Sequence, residues 1–281
     1  MTARLSSLIV EDAVARALKE DFGDAGDITT NATIPAAANA KAVIAARKPG
    51  VIAGVDAALA AFRLTDPAIN ITVEKQDGAR VQKGDVILSI DGPARGVLSA
   101  ERVALNFMGH LSGIATATAA LVDAVKGTGV KIACTRKTAP GLRAFQKHAV
   151  KCGGGHNHRF GLYDAVMIKD NHIAAAGGIA EALSAARADV GHMVKIQIEV
   201  DGFDQLEDAL ANGADVILLD NFEPETMKRA VEINKGRAVL EASGNITIDT
   251  VRTVAETGVD VISSGWITHS APNLDVGLDF L

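Results

Sequence analysis

Gly213-Ala214-Asp215-Val216-Ile217-Leu218-Leu219-Asp220 is the stretch on which the fold turns. A glycine takes the left-handed conformation just beyond a helix. An apolar run follows, of the kind buried on both faces of a parallel sheet. A polar residue closes it. The same order occurs six times in all. Gly129 leads through Val130–Cys134 to Thr135-Arg136-Lys137, and Gly161 through Ala165–Ile168 to Lys169. Gly191 leads through Val194–Ile198 to Glu199, Gly236 through Ala238–Leu240 to Ser243-Gly244-Asn245, and Gly258 through Val259–Ile262 to Ser263-Ser264-Gly265. Helical patterns such as Ile179–Leu183 and Phe203–Leu210 fill the gaps, and Pro224 stands where a helix starts. Strand alternating with helix means parallel pairing with right-handed crossovers. Over residues 112–269 the pattern predicts an α/β barrel with fewer than the usual eight strands. A doubly wound open sheet is the other arrangement of the same pattern, although no Gly-x-Gly-x-x-Gly follows the first strand.

Residues 1–111 have a different rhythm. Val10, Val14, Ala17 and Leu18 recur at helical spacing, and the acid- and glycine-rich run Glu20–Asp27 ends that helix. Strand-like runs follow at Lys41–Arg47, Ile69–Glu74 and Val86–Ile90, separated by turn signals at Lys48-Pro49-Gly50 and Asp77-Gly78. The run Gly78–Leu88 resembles the strand pair of a lipoyl or biotinyl hammerhead. It lacks the modifiable lysine turn of those modules, so it reads as structure rather than function. Ser99 is expected to cap the helix that carries Glu101, Arg102, Leu105 and Met108.

Composition narrows the function classes. A chain of 281 residues, 48% apolar, has room for about two domains and a full core. Lys plus Arg number 28 against 34 Asp plus Glu, a net charge of −6, which argues against a nucleic-acid binder. Two cysteines, Cys134 and Cys152, are too few for a disulfide framework, so a reduced, cytoplasmic protein is expected. Val103–Val122 carries no Asp, Glu, Lys or Arg, but its Asn, His, Ser, Thr and Gly residues make it a buried helix rather than a membrane span.

In an α/β barrel the active site lies at the C-terminal ends of the strands. That rule selects Arg136, Lys137, Lys169, Glu199, Asp220, Ser243, Asn245 and Ser264. The cations suit a carboxylate or phosphate. Glu199 and Asp220 can hold Mg²⁺ directly or through its waters. Ser243-Gly244-Asn245 and Ser264-Gly265 offer hydroxyls and backbone N–H groups to a phosphate. A second cluster is Gly153-Gly154-Gly155-His156-Asn157-His158-Arg159, whose glycines allow close wrapping and whose His158 and Arg159 address an anion. Zinc on Cys152, His156 and His158 is the rival reading of that cluster, and a plain surface loop the bland one.

These residues resemble the quinolinate phosphoribosyltransferase family along nearly the whole chain. The matching runs are Glu20–Gly23, Gly26–Thr30, Glu101–Phe107, Leu111–Thr116, Thr135–Arg143, Gly153–Arg159, Ile168–His172, Leu219–Phe222, Ser243–Asn245 and Thr268–Ser270. The resemblance implies an N-terminal α/β domain, residues 1–111 joined by the tail 270–281, beside an incomplete barrel. It implies a homodimer or an assembly of dimers, with Arg102 supplied to a neighbour's site. It places Thr135, Arg136, Lys137, His158, Arg159 and Lys169 on substrate-binding positions, Glu199 and Asp220 on the acidic pair near ribose and metal, and Ser243, Gly244, Asn245, Ser264 and Gly265 on phosphate-binding strand ends. Lys137, Lys169, Glu199 and Asp220 are the catalytic candidates. The implied reaction joins quinolinate to phosphoribosyl pyrophosphate with Mg²⁺ and loses CO₂, giving nicotinate mononucleotide and pyrophosphate for NAD biosynthesis. Lys151, Gly109-His110 and Gln197 depart from the family pattern, Gln197 where an acid is common. Three other readings stand beside it. They are a phosphoribosyltransferase for another heterocycle, a Schiff-base aldolase using Lys169, and a non-catalytic module built on the hammerhead-like segment.

Overall fold

The computed structural model describes residues 4–281. In chain order the elements are α1 (Ser7–Phe22), α2 (Ile28–Thr33), β1 (Asn39–Ala46), β2 (Gly50–Val51), α3 (Val55–Thr65), β3 (Asn70–Val73), β4 (Arg80–Val81) and β5 (Val86–Pro93). The long helix α4 (Ala94–Ala124) follows, then β6 (Lys131–Ala133), α5 (Arg143–Cys152), β7 (Val166–Ile168), α6 (Asp170–Ala176), α7 (Ile179–Asp189) and β8 (Ile196–Val200). The chain closes with α8 (Phe203–Ala211), β9 (Val216–Asp220), α9 (Pro224–Asn234), β10 (Val239–Ser243), α10 (Val251–Ala255), β11 (Val261–Ser263), α11 (Trp266–His269) and β12 (Val276–Phe280). They divide into two compact units. The first takes the chain up to Ala119, with 144–154 and 270–281; the second takes Ala120–Arg143 and Gly155–His269.

The first unit is built on an antiparallel sheet in the order β12-β1-β5-β3. In β1 Asn39 and Lys41 are exposed while Ala40, Ala42 and Ile44 are buried, the alternation of a half-covered sheet. The tail supplies the edge strand, with Ala42 opposite Phe280 and Ala46 opposite Val276. Gly113 on α4 makes room for that tail, since a Cβ there would run into the Pro272 carbonyl oxygen. The hammerhead-like run gives two strands with separate partners: β4 pairs β2, while β5 pairs β1 and β3. The uncharged stretch of α4 is core helix; 61% of its most apolar window is buried.

Two expectations change here. Ser99 lies inside α4, which begins at Ala94, so it caps nothing. Its hydroxyl donates to Asp27 Oδ2 at 2.9 Å, and Asp27 Oδ1 accepts the Thr30 N–H at 2.9 Å, which makes Asp27 the cap of α2. Most of α5 belongs with the first unit rather than the barrel. Its Phe145 ring lies 5.5 Å from that of Phe107, and Ala149 and Val150 are buried.

All six expected runs of the second unit are strands. They lie parallel in the order β6-β11-β10-β9-β8-β7. Each strand from β7 to β11 lies beside its successor, and β11 returns to β6, so the sheet is a barrel open at the β6–β7 seam. There His156 forms a parallel bridge with Ala133, donating its N–H to Ile132 O at 2.7 Å. Gly129, Gly213, Gly236 and Gly258 have φ of 84°, 71°, 73° and 93°, the left-handed turn expected of them. Gly161 and Gly191 sit in loops without that constraint.

Candidate functional site

A cavity of 930 Å³ lies at the C-terminal ends of the barrel strands. Strand alternation decides what faces it. Met167 and Lys169 lie two apart on and just after β7, Leu218 and Asp220 on β9, Glu241 and Ser243 on β10, and all line the cavity. The residues between them, Ile168, Leu219 and Ala242, are buried on the other face.

Thirteen of the residues selected from the sequence line this cavity: Thr135, Arg136, Lys137, His158, Arg159, Lys169, Glu199, Asp220, Ser243, Gly244, Asn245, Ser264 and Gly265. Lys169 Nζ donates to Glu199 Oε2 at 2.6 Å. Burial first, and the charge of Glu199 second, push the Asp220 carboxyl above the usual carboxylate range. Asn221 Nδ2 donates to Asp220 Oδ2 at 3.0 Å. The turn after β6 is fixed from two sides. Lys137 N–H donates to Thr135 Oγ1 at 3.0 Å, and the Thr268 hydroxyl donates to Lys137 O at 2.7 Å. The ends of β9 and β10 bend through left-handed residues, Asn221 (φ 54°), Gly244 (φ 105°) and Asn245 (φ 49°). A side chain on Gly244 would collide with that of Asn221, so glycine is required there on both counts.

The cationic wall carries unmet hydrogen-bonding capacity. Arg136 Nε and Arg159 Nε are buried without a hydrogen-bond partner. Arg159 Nη1 donates to Ala165 O at 2.8 Å. Burial, and then repulsion from Arg136, lower the Arg159 pKa from the ordinary guanidinium value. Two neighbouring guanidiniums whose buried Nε–H groups lack partners form a receptor for an anion.

His158 lines the cavity and is held by polar contacts at both ring nitrogens. Its Nδ1 accepts the Arg159 backbone N–H at 2.8 Å. Its Nε2 lies 2.9 Å from Gln197 Oε1, and Gln197 Nε2 donates to Glu241 Oε2 at 3.0 Å. Glu241 Oε2 also lies 3.6 Å from His158 Nε2, so the ring stands against a buried carboxylate as well as the Gln197 amide.

Glu241 was not selected from the sequence, and neither were Asn221, Trp266 or His269, which also line the cavity. Glu241 is 4% exposed with Oε1 unpartnered. The available signal was an acid within the apolar run of β10, two residues before Ser243 and so on the same face. Arg102 is exposed on α4 in the first unit and is not among the lining residues. The zinc trio is not assembled: His156 is exposed, His158 is engaged with Gln197, and Cys152 lies in the first unit against His148.

Residues 27–112 match the family description "Quinolinate phosphoribosyl transferase, N-terminal domain", and residues 114–279 match "Quinolinate phosphoribosyl transferase, C-terminal domain". The chain is 46% identical over 273 residues to a nicotinate-nucleotide pyrophosphorylase [carboxylating] of Mycobacterium leprae, covering 95% of this chain and 96% of that protein. It is 45% identical over 260 residues to a probable enzyme of the same name from Bacillus subtilis, covering 92% and 89%. A solved nicotinate-nucleotide pyrophosphorylase from Francisella tularensis superposes with a TM-score of 0.95 at 39% identity, covering 99% of this chain and 98% of that one.

Proposed function

The chain belongs to the quinolinate phosphoribosyltransferase family, and from that premise we propose how its barrel pocket works. The enzyme transfers phosphoribosyl from phosphoribosyl pyrophosphate to the ring nitrogen of quinolinate. Decarboxylation follows, giving nicotinate mononucleotide, pyrophosphate and CO₂ for NAD biosynthesis. The observation that carries the assignment of roles is the pair of buried, unpaired guanidinium Nε groups beside the facing acids Glu199 and Asp220.

Arg136, Lys137 and Arg159 receive the carboxylates of quinolinate and orient its nitrogen. Glu199 and Asp220 face the ribose, where their charge favours the oxocarbenium character that develops as pyrophosphate leaves. Ser243, Gly244, Asn245, Ser264 and Gly265 hold phosphate oxygens. The two acids also fit Mg²⁺, because Asp220 carries a repulsion from Glu199 that a divalent cation relieves. When bound, Mg²⁺ supplies neutralising charge to the departing pyrophosphate. Arg102 is donated to the pocket of a second copy in a homodimer. Lys169 is ion-paired with Glu199 and its side chain is half exposed, not the desolvated, unpaired lysine that a Schiff-base aldolase uses.

The test is purified protein with quinolinate, phosphoribosyl pyrophosphate and Mg²⁺, followed by assay for nicotinate mononucleotide. Nicotinate in place of quinolinate leaves one cationic contact unpaired and is expected to lower kcat/KM by roughly 10³-fold or more. Comparable turnover of the two acceptors overturns the reading of the cationic wall. Preferred turnover of a different heterocycle overturns the substrate.

A further inference from the structure

We propose that Asp77, His148 and Cys152 form a site for a borderline-soft divalent cation, zinc being the natural candidate, within the first unit. None of the three lines the barrel pocket.

His148 and Cys152 are four residues apart on α5, so their side chains rise from the same helix face. Asp77 comes from the turn ahead of β4. The three ligand atoms all lie within 4.8 Å of one another. His148 Nε2 is 2.7 Å from Asp77 Oδ2 and 3.4 Å from Cys152 Sγ. The other carboxylate oxygen, Asp77 Oδ1, accepts the Val55 N–H at 3.0 Å, which aims Oδ2 at the ring. Such an outer hydrogen bond is what orients a metal ligand. The His148 and Asp77 side chains are 7% and 16% exposed, and Cys152 as a residue is 8% exposed. The site is therefore shielded, with its one wetter side at Asp77 available to a water as fourth ligand.

One nitrogen, one sulfur and one carboxylate oxygen are a tetrahedral zinc set. The thiolate selects against Mg²⁺ and Ca²⁺. Charge favours occupation as well. On binding, the Nε2 proton moves to Nδ1, Sγ releases its proton to solvent, and M²⁺ with carboxylate and thiolate is neutral. One proton leaves for each ion bound. A neutral buried cluster avoids the penalty of an uncompensated charge. The ion would pin the Asp77-Gly78 turn to α5, just ahead of Gly153-Gly154-Gly155 in the chain, and stabilise the fold by mass action.

The experiment uses full-length protein stripped with a chelator and titrated with Co²⁺ as a spectroscopic substitute for zinc. The expected result is one Co²⁺ per chain with a thiolate-to-metal charge-transfer band, displaced by Zn²⁺ and untouched by Mg²⁺. The band persists in Cys134→Ser, disappears in Cys152→Ser, and needs at least about tenfold more metal in Asp77→Asn. No thiolate band in the wild type, or a band that survives Cys152→Ser, overturns the site. Should Cys152→Ser fail to fold, alkylation of wild-type Cys152 followed by mass spectrometry decides. Zinc must slow it relative to chelated protein, and equal rates overturn the proposal.

Discussion

Asp220 and His158 show how single residues are set by neighbours remote in sequence. With burial and Glu199 raising the Asp220 carboxyl, the native state binds a proton that the unfolded chain has already released. That contribution to stability is full below the usual carboxylate value and is lost as pH rises through the raised one. Asp220→Asn removes the ionisation. In metal-free buffer its Tm at neutral pH is expected to exceed that of the wild type, with the gain vanishing in acid, while transfer activity falls by roughly 10²-fold or more. A neutral-pH Tm at or below wild type counts against this account. His158 is likewise set from afar: Gln197 Oε1 stands 2.9 Å and Glu241 Oε2 3.6 Å from its Nε2. The sequence exposed Gln197 as a departure from its family, but not the partner that gives the departure its consequence.

At the scale of elements, strands were more legible than helices. Each barrel strand declares itself within about ten residues, because an apolar run between a glycine and a polar end has few other uses. Helix caps were less legible. Ser99 has the right chemistry for a cap, yet α4 starts five residues earlier and Asp27 holds the cap of α2. Asp27→Ala is expected to cost about 1 kcal/mol in denaturant unfolding at neutral pH. Hydrogen bonds from Thr30 hold the Asp27 carboxyl below its usual value. Its contribution is thus present above the unfolded value and is lost as pH falls through the folded one. The deficit of the variant should shrink in acid, with kcat unchanged. A deficit independent of pH would assign the loss to something other than the ionised cap.

At the scale of the whole molecule, Arg102 carries the question of assembly. It is exposed on α4 and absent from the lining of the pocket. A site shared across a two-fold axis predicts complementation. Arg102→Ala and Lys169→Ala homodimers are each expected to be nearly inactive. Unfolded together and refolded, half the dimers are mixed, and each mixed dimer has one intact site. Activity should return to about one quarter of wild type for independent sites. No recovery, with refolded wild type as a good control, places Arg102 in its own subunit's chemistry or in none.

The sequence by itself determined what is local. It set the six strands with polar ends, the glycines that turn the chain, and the chemistry delivered to one rim of a parallel sheet. Only the tertiary structure decided which of those groups meet. The seam filled by His156, the placing of α5 with the first unit, and the chain from His158 through Gln197 to Glu241 depend on how the elements pack. The pairs His158–Gln197, Gln197–Glu241 and His148–Asp77 are 39, 44 and 71 residues apart. Periodicity reports which face of an element is buried, because that is a property of a few consecutive side chains. Which partner covers that face is fixed only when the elements pack and their buried polar groups must find one another.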